Sequence, residues 1–173
     1  MKYLVNIVLI LLMFGCMNKT TPIKTHPNVD IKKFMGPWYV IAHIPTFIEK
    51  EAYNAVESYE LDKNGNIQTT FTFNKGSLDG EVKTYHPVGY IIKGTENAEW
   101  KMQFIWPFKA QYKIAYIDPD YQYTIIARDK KDFVWLMARE SKIDENNYKE
   151  FVKKIESIGY DISKIRKIPH NNQ

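Results

Sequence analysis

The sequence feature that most constrains the fold is a strict alternation of large apolar residues near the middle of the chain. From residue 100 to residue 106, every second position carries one: Trp100, Met102, Phe104 and Trp106. Successive side chains of a β-strand point to opposite faces, so this period predicts a strand with one apolar face. Seven more segments of similar character, separated by turn signals such as Asn64-Gly65, bring the predicted total to eight strands. Short strands at this spacing are typical of an antiparallel sandwich or barrel.

The alternation also assigns shared faces in the other predicted strands. The sets are Trp38, Val40, Ala42 and Ile44 in the first strand, Ile67, Thr69, Phe71 and Phe73 in the third, Tyr112, Ile114 and Tyr116 in the sixth, and Phe133, Trp135, Met137 and Arg139 in the eighth. His43 falls on the opposite face of the first strand and is expected to be exposed. Pro87 and Gly89 interrupt the fourth strand and predict a bulge or bend there.

After the strands, the period changes to that of a helix. Apolar residues recur at helical spacing at Tyr148, Phe151, Val152, Ile155 and Ile158. Asp144 is suited to cap the N-terminus, and Gly159 to follow the C-terminus. One amphipathic helix is therefore expected after the last strand, and a short tail over residues 162–168 can add a strand at the sheet edge.

The N-terminus has the layout of an export signal. Met1-Lys2 is a short positive region, and residues 3–14 are mainly apolar but too few to span a bilayer comfortably. Gly15 then precedes Cys16, the only cysteine in the chain. One interpretation is an ordinary secretory signal with an incidental thiol. The other is a lipoprotein signal, because a small residue before a cysteine directly after the apolar region resembles the bacterial lipobox, in which the thiol is acylated.

The lipoprotein interpretation divides the chain into three parts. Residues 1–15 form the signal peptide, residues 16–28 form the lipidated cysteine and a polar, flexible tether, and residues 29–173 form the folded domain. More than one acyl chain on Cys16 gives stable anchoring in a membrane. In the bacterial sorting code that this region resembles, the Met17 that follows the cysteine favours the outer membrane.

Three motifs lie in order along the predicted domain. They are Gly36-Pro37-Trp38-Tyr39 at the start of the first strand, Asp118-Pro119-Asp120-Tyr121-Gln122-Tyr123 before the seventh, and residues 133–139 in the last, which end in Arg139. With eight strands and one final helix, these motifs resemble the lipocalin family. Within that family the chain is most similar to the bacterial outer-membrane lipoprotein lipocalins, relatives of apolipoprotein D. The resemblance covers about residues 27–169.

This resemblance implies a fold and a set of structural residues. The implied fold is all-β, an eight-stranded antiparallel up-and-down barrel with one C-terminal α-helix packed outside. The arginine of the third motif covers the tryptophan of the first, which makes Arg139 and Trp38 a clasp at the closed end. The motif residues with structural roles are Gly36, Trp38, Asp120, Tyr121 and Arg139. The resemblance also implies a domain that faces the periplasm from the bacterial outer membrane.

An eight-stranded barrel is wide enough either to fill its interior with side chains or to hold one small ligand. Inward tyrosine hydroxyls favour a ligand, because they need polar partners such as a ligand carboxylate or an ordered water. The residues expected to bind the ligand are Ala42, Ile44, Phe71, Phe73, Met102, Phe104, Tyr112, Ile114, Tyr116 and Trp135. A fatty acid or a lysophospholipid fits such a pocket, and the resemblance implies the same.

Other chemistry finds little support in the sequence. The four histidines show no metal-ligand spacing, no serine lies in a nucleophile-elbow context, and no glycine-rich phosphate loop is present. We therefore predict no catalytic residue, metal or cofactor. The net charge is only +4 and the lysines are dispersed, which argues against nucleic-acid binding.

Three hypotheses about function remain. The first is a membrane-anchored protein that stores or transports a hydrophobic ligand in the bacterial cell envelope. The second is a lipocalin-fold enzyme that acts on a lipid or an isoprenoid, and the third is a structural envelope lipoprotein with a filled barrel. Apolar loop residues can border a ligand entrance or form a homodimer contact; they are Phe47, Ile48, Trp106 and Phe108.

Overall fold

The computed structural model describes residues 21–46 and 48–171, and its strands form one antiparallel sheet that closes on itself. The α-helices and strands are α1 (Ile31–Phe34), β1 (Gly36–Ile44), β2 (Ala52–Leu61), β3 (Asn66–Lys75), β4 (Val82–Tyr85), β5 (Val88–Ile91), β6 (Glu99–Ile105), β7 (Phe108–Ile117), β8 (Tyr123–Ala127), β9 (Val134–Ala138), α2 (Glu145–Ser157) and β10 (Arg166–Lys167). Strands β4 and β5 both pair with β3 and are two pieces of one predicted strand, separated by the predicted bend at Pro87. With β10 as a short addition, the predicted eight-stranded barrel is confirmed.

The barrel closes where the first strand meets the last long one. Val40 of β1 lies opposite Met137 of β9, and the pairing continues to the end of β1. Strand β2 pairs with β1 only as far as Tyr39. Beyond that point β10 runs beside β1, with Lys167 opposite Ala42, so the expected edge strand is also confirmed.

The short helix α1 plugs one end of the barrel. The side chain of Asp30 accepts hydrogen bonds from its first turn, as an N-cap residue does. Phe34 is fully buried, and its ring lies 5.2–5.5 Å, between centroids, from those of Trp38, Tyr59 and Trp100. The sequence did not predict this helix, because one turn has no period to detect.

Helix α2 packs on the outside of the barrel. Asp144 caps it by accepting the Asn146 N–H at 2.8 Å, and Gly159 follows it with φ +95°, as predicted. Its buried residues, Phe151 and Ile155, join an outer apolar cluster with residues of β1, β8 and β9.

Two β-bulges correct the faces predicted for three residues of the ligand site. The register of β1 shifts between Val40 and Ala42, and that of β7 shifts between Ile114 and Tyr116. An extra residue in one strand moves the side chains beyond it to the other face. Ala42, Ile44 and Tyr116 therefore leave the interior and join the outer cluster. Their predicted inward face is wrong.

The bulge in β1 also determines where His43 lies. It is 1% exposed, so the prediction that it is exposed is wrong. Because Ala42 occupies the outer face, the next side chain points inward.

The described part of the predicted tether, residues 21–28, contacts the barrel. Ile23 is buried and its N–H donates to Oδ1 of Asp129 at 2.7 Å, and the His26 N–H donates to the Ile114 carbonyl at 2.8 Å. This part is bound rather than free, which corrects the predicted flexible tether over these residues. The signal peptide, Cys16 and Phe47 lie outside the described residues. Within residues 21–46 and 48–171, no helix is long and apolar enough to cross a membrane.

Candidate functional site

A cavity occupies the half of the barrel that faces away from α1. Its volume is ≈ 510 Å³, within the range of pockets that take one small ligand. It opens among the loops that join β1 to β2, β6 to β7 and β8 to β9. The barrel is therefore closed at one end and hollow at the other.

Half of the predicted ligand-binding residues line this cavity: Phe71, Met102, Phe104, Tyr112 and Trp135. Phe73 and Ile114 belong to the interior core but do not line the cavity, and the Phe73 ring stacks on that of Tyr85. The three residues moved by the bulges, Ala42, Ile44 and Tyr116, lie outside the barrel wall.

Large side chains fill the other half of the interior. Trp38, Trp100 and Tyr59 are each 0% exposed. The Tyr112 ring stacks on Trp100 with centroids 4.8 Å apart and planes 6° apart. Tyr112 is thus the boundary between the filled half and the cavity.

A buried chain of hydrogen bonds crosses this boundary. The Tyr59 hydroxyl donates to Oε2 of Glu57 and lies 2.7 Å from the Tyr112 hydroxyl. Since the Tyr59 proton serves Glu57, Tyr112 donates to the Tyr59 oxygen. Burial raises the pKa of Glu57 to about 7 and the pKa values of both tyrosines well above their usual range. The inward hydroxyls thus find their polar partner in Glu57.

A second buried acid, Glu49, lies in the loop between β1 and β2. It is 3% exposed and accepts hydrogen bonds from Nε1 of Trp135 at 3.2 Å and from the Thr46 N–H at 3.0 Å. Burial raises its pKa, and its charge adds to the effect of burial in raising the pKa of Glu57. Two carboxyl groups therefore share one apolar cavity.

His43 does not compensate these acids. Its Nδ1 lies 3.8 Å from Oε1 of Glu49, and neither ring nitrogen has a hydrogen-bond partner. Burial, followed by the charge of Arg166, lowers the pKa of His43 to about 3, so the imidazole is neutral at physiological pH. Within the described part of the chain, no three His, Cys, Asp or Glu side chains are grouped to hold a metal ion.

The rim of the cavity carries both charge and exposed apolar surface. Nη1 of Arg128 lies 3.4 Å from Oδ2 of Asp132. Trp106 is 83% exposed and Phe108 is 75% exposed. Strand β6 ends at Ile105, so Trp106 does not continue the inward face that the alternation assigned to it.

The closed end contains the predicted clasp. The guanidinium of Arg139 lies 3.8 Å from the centroid of the Trp38 ring and donates to four carbonyls at the end of α1 and just after it, those of Lys33, Phe34, Met35 and Pro37, at 2.7–3.2 Å. Gly36 has φ +92°, and a Cβ there would lie 3.5 Å from Nη1 of Arg139. Arg139 thus covers the indole and also satisfies the free carbonyls of the helix end.

In the second motif, Asp118 organises the turn. Its carboxylate accepts the backbone N–H groups of Asp120, Gln122 and Tyr123. The side chain of Asp120 is exposed. Tyr121 joins the turn to the N-terminal segment, because its hydroxyl accepts the Asp30 N–H at 2.8 Å.

Among the polar residues that line the cavity, the sequence predicts only Tyr112. Glu57 and its partner Tyr59 lie two positions apart on β2, so they share one face, but no inward face is predicted for this strand. An acidic residue in phase with a tyrosine is the sequence signal for this pair. The other polar lining residues that the sequence does not predict lie in loops, where no period applies, except Gln111, which is in β7; they are Thr46, Glu49, Gln111, Arg128 and Asp132.

A closed antiparallel barrel with one apolar cavity at its mouth is the architecture of a class of proteins that hold a small hydrophobic molecule. The model of one family, described as a lipocalin-like domain, matches residues 29–170. The chain therefore belongs to the lipocalin family, and the resemblance found in the three motifs is confirmed.

Known proteins from several organisms are similar to this chain over most of its length. Temperature-induced lipocalin-1 of Arabidopsis thaliana is 29% identical over 157 residues, covering 84% of this chain and 81% of that protein. Outer membrane lipoprotein Blc of Escherichia coli K12 is 24% identical over 157 residues, covering 88% and 87%. Among solved structures, insecticyanin from the tobacco hornworm Manduca sexta has a TM-score of 0.69 at 17% identity, covering 87% of this chain and 86% of that one. This last likeness shows the fold alone.

Proposed function

We propose that this protein binds a fatty acid or a lysophospholipid in its barrel and stores or transports it in the bacterial cell envelope. The observation that carries the proposal is the apolar cavity of ≈ 510 Å³ at the open end. Binding is non-covalent, and each methylene removed from water contributes about 0.8 kcal/mol. The cavity also argues against the hypothesis of a filled, purely structural barrel.

The charged rim supports an orientation for an anionic lipid. Arg128 is the one cationic side chain that lines the cavity among the described residues. A fatty acid that enters chain first places its carboxylate near this guanidinium, which is suited to bind such a group. The apolar wall then covers the chain.

We further propose that Cys16 is acylated and anchors the domain to the outer membrane, facing the periplasm. Similarity to a bacterial outer membrane lipoprotein supports this location. Ile23 contacts Asp129, which follows β8 at the open end, and Cys16 precedes Ile23 by only seven residues. Seven residues span at most about 25 Å, which supports an anchor on the side of the barrel that carries the cavity mouth.

Native mass spectrometry of the purified protein tests the binding proposal. A form that begins at Thr21 keeps the contacts of Ile23 and needs no detergent. One unmodified acyl lipid per barrel, displaceable by a fluorescent fatty acid, is the expected result. Protein that is repeatedly empty and binds no fluorescent fatty acid contradicts the proposal.

Anchoring is tested separately in cells. Full-length protein is expected to incorporate labelled palmitate and to fractionate with the outer membrane, and Cys16→Ser is expected to do neither. Equal fractionation of both forms contradicts the anchor.

A homodimer through the exposed rim is tested by light scattering of the purified protein. Trp106→Ser is the variant expected to be monomeric.

One observation favours a second candidate, an enzyme that acts on a lipid or an isoprenoid. A carboxyl group with a pKa of about 7 inside a cavity is suited to donate or accept a proton. Conversion of a supplied lipid, lost in Glu57→Gln, supports the enzyme, whereas recovery of unchanged lipid supports the carrier.

A further inference from the structure

The cavity holds more acid than base. Glu49, Glu57 and Asp132 line it, and Arg128 at the rim is paired with Asp132. In the described part of the chain, no Lys or Arg forms an ion pair with Glu49 or Glu57. Both acids are 3% exposed, so neither solvent nor a cationic side chain balances the negative charge that each carries when ionised.

Glu57 also has unused hydrogen-bonding capacity. The hydrogen bond from Tyr59 engages Oε2, and no described residue donates to Oε1. Glu57 lines the cavity, so this second oxygen is available to a bound molecule. A purely apolar ligand leaves this oxygen without a donor, which costs free energy in a buried site.

Aromatic rings line the same cavity, and one of them, Tyr112, is linked to Glu57 through the Tyr59 hydroxyl. The Tyr112 and Trp135 centroids are 6.5 Å apart, and those of Trp135 and Phe133 are 4.8 Å apart. Aromatic faces attract cations, and most strongly where water is excluded. Acid and aromatic rings together complement an ammonium group.

We propose that Glu57, Tyr112 and Trp135 form a cation subsite at the inner end of the cavity, which binds the primary or quaternary ammonium group of an amphiphilic ligand. Glu57 is the counter-ion, and the rings contact the ammonium group. The inference rests on the proposed function, because it assigns the inner end of the molecule that the barrel carries. A lysophospholipid that enters with its ammonium head group first has the required cation, and a fatty acid does not.

The protonation of Glu57 couples to such binding. The titratable groups around it are Glu49, whose pKa is also raised, and Tyr59 and Tyr112, which stay neutral. Across β1 and β3 it lies opposite Trp38 and Phe71, which do not titrate. A bound cation favours the ionised acid, so binding near pH 7 releases a proton from Glu57.

Calorimetry with four matched amphiphiles tests the subsite. The ligands are dodecyltrimethylammonium, dodecylamine, dodecanol and dodecanoate, below their micellar concentrations, added to the chain from residue 16 with Cys16→Ser. At pH 8 we expect dodecyltrimethylammonium to bind about tenfold or more tightly than dodecanol and dodecanoate, and to lose this preference at pH 5.5. At pH 7, buffers of different ionisation enthalpy are expected to report proton release.

Variants of one strand supply the controls. Glu57→Gln keeps the shape of the side chain and its hydrogen bond from Tyr59. It is expected to weaken cation binding about tenfold, to abolish proton release and to change the affinity for dodecanol much less. Glu60→Gln, at an exposed position of β2, is expected to change nothing. Equal affinities for the four ligands, tightest binding of dodecanoate, or an unchanged cation affinity in Glu57→Gln overturns the subsite and leaves the carrier function standing. If no amphiphile binds and none displaces a fluorescent fatty acid, the carrier function fails with it.

Discussion

The two ends of this barrel use the same residue types for opposite purposes. At the closed end Trp38 is 0% exposed, its Nε1 donates to the Phe34 carbonyl at 2.8 Å, and Arg139 stacks on its ring. At the open end Trp106 is 83% exposed, and Arg128 faces a cavity. Each end has one tryptophan and one arginine, so residue type alone does not distinguish the stabilising pair from the pair at the cavity.

The difference shows how one barrel combines stability with binding. The large rings packed at the closed end bury apolar surface and so stabilise the folded state. The other end then tolerates a cavity and two buried acids, both of which cost free energy. The predictions below test this division between a stabilising end and a binding end.

The largest expected effect separates the two tryptophans. Trp38→Ala removes a fully buried ring and is expected to lower the free energy of unfolding by about 3–5 kcal/mol. Trp106→Ala, at the exposed rim, is expected to change it by less than about 0.5 kcal/mol. Urea denaturation measures both. Similar losses in the two variants would contradict the division between the ends.

The pH dependence of stability is expected to report Glu57. Its pKa is about 7 in the folded protein against the ordinary value of 4.5, so the unfolded state loses the proton first as pH rises. The contribution of Glu57 to stability therefore falls by roughly 3 kcal/mol between about pH 4.5 and pH 7 and is level above, whereas the lowered pKa of His43 gives that residue a contribution of opposite sign. Glu57→Gln is expected to remove the contribution of Glu57 to the slope and to be more stable than the wild type at pH 8. Denaturation midpoints measured from pH 4 to pH 8 test this expectation, with Glu60→Gln as the control. If the slope of stability against pH is the same in Glu57→Gln as in the wild type, Glu57 does not cause it.

A smaller effect is expected for the two arginines. Arg139→Lys keeps the charge but loses the planar guanidinium that donates to five backbone carbonyls, and is expected to cost about 1–3 kcal/mol. Arg128→Lys changes a partly exposed ion pair and is expected to cost less than about 1 kcal/mol. If lysine replaces Arg139 without loss, charge alone holds the closed end.

The smallest effect on free energy is expected from filling the cavity. Ala110→Phe adds a ring to the lining and is expected to weaken ligand binding about tenfold, or about 1.4 kcal/mol, with little change in stability. Lys109→Phe, at the next and exposed position, is the control. Fluorescent fatty acid titration measures both, and equal affinities would place the ligand elsewhere.

Much of the architecture was predictable from local patterns. The alternation around Met102 predicted a strand, and Asp144 and Gly159 marked the two ends of the outer helix. Three motifs in order were enough to relate Trp38 to Arg139 across about a hundred residues. These features depend on backbone geometry and turn chemistry, which short stretches of sequence specify.

The faces beyond the bulges were not predictable in this way. Ala42 and Tyr116 continue a perfect alternation, yet each lies outside the barrel because its strand gains a residue relative to its partner. The register between two strands is a property of the pair, so neither strand carries it alone. The contact of Ile23 with Asp129 joins two non-strand residues that are 106 positions apart, so no local pattern marks it.

The sequence by itself determined that this chain forms a lipocalin barrel with one outer helix, because the period of its apolar residues and its motifs are local signals. The tertiary structure decided which of the predicted inward residues line the cavity and that two buried acids line it with them. Burial and pairing depend on what the rest of the chain places around a residue. For this reason Trp38 identified the fold, whereas no motif marks Glu57, the buried acid to which we assign a role in ligand binding.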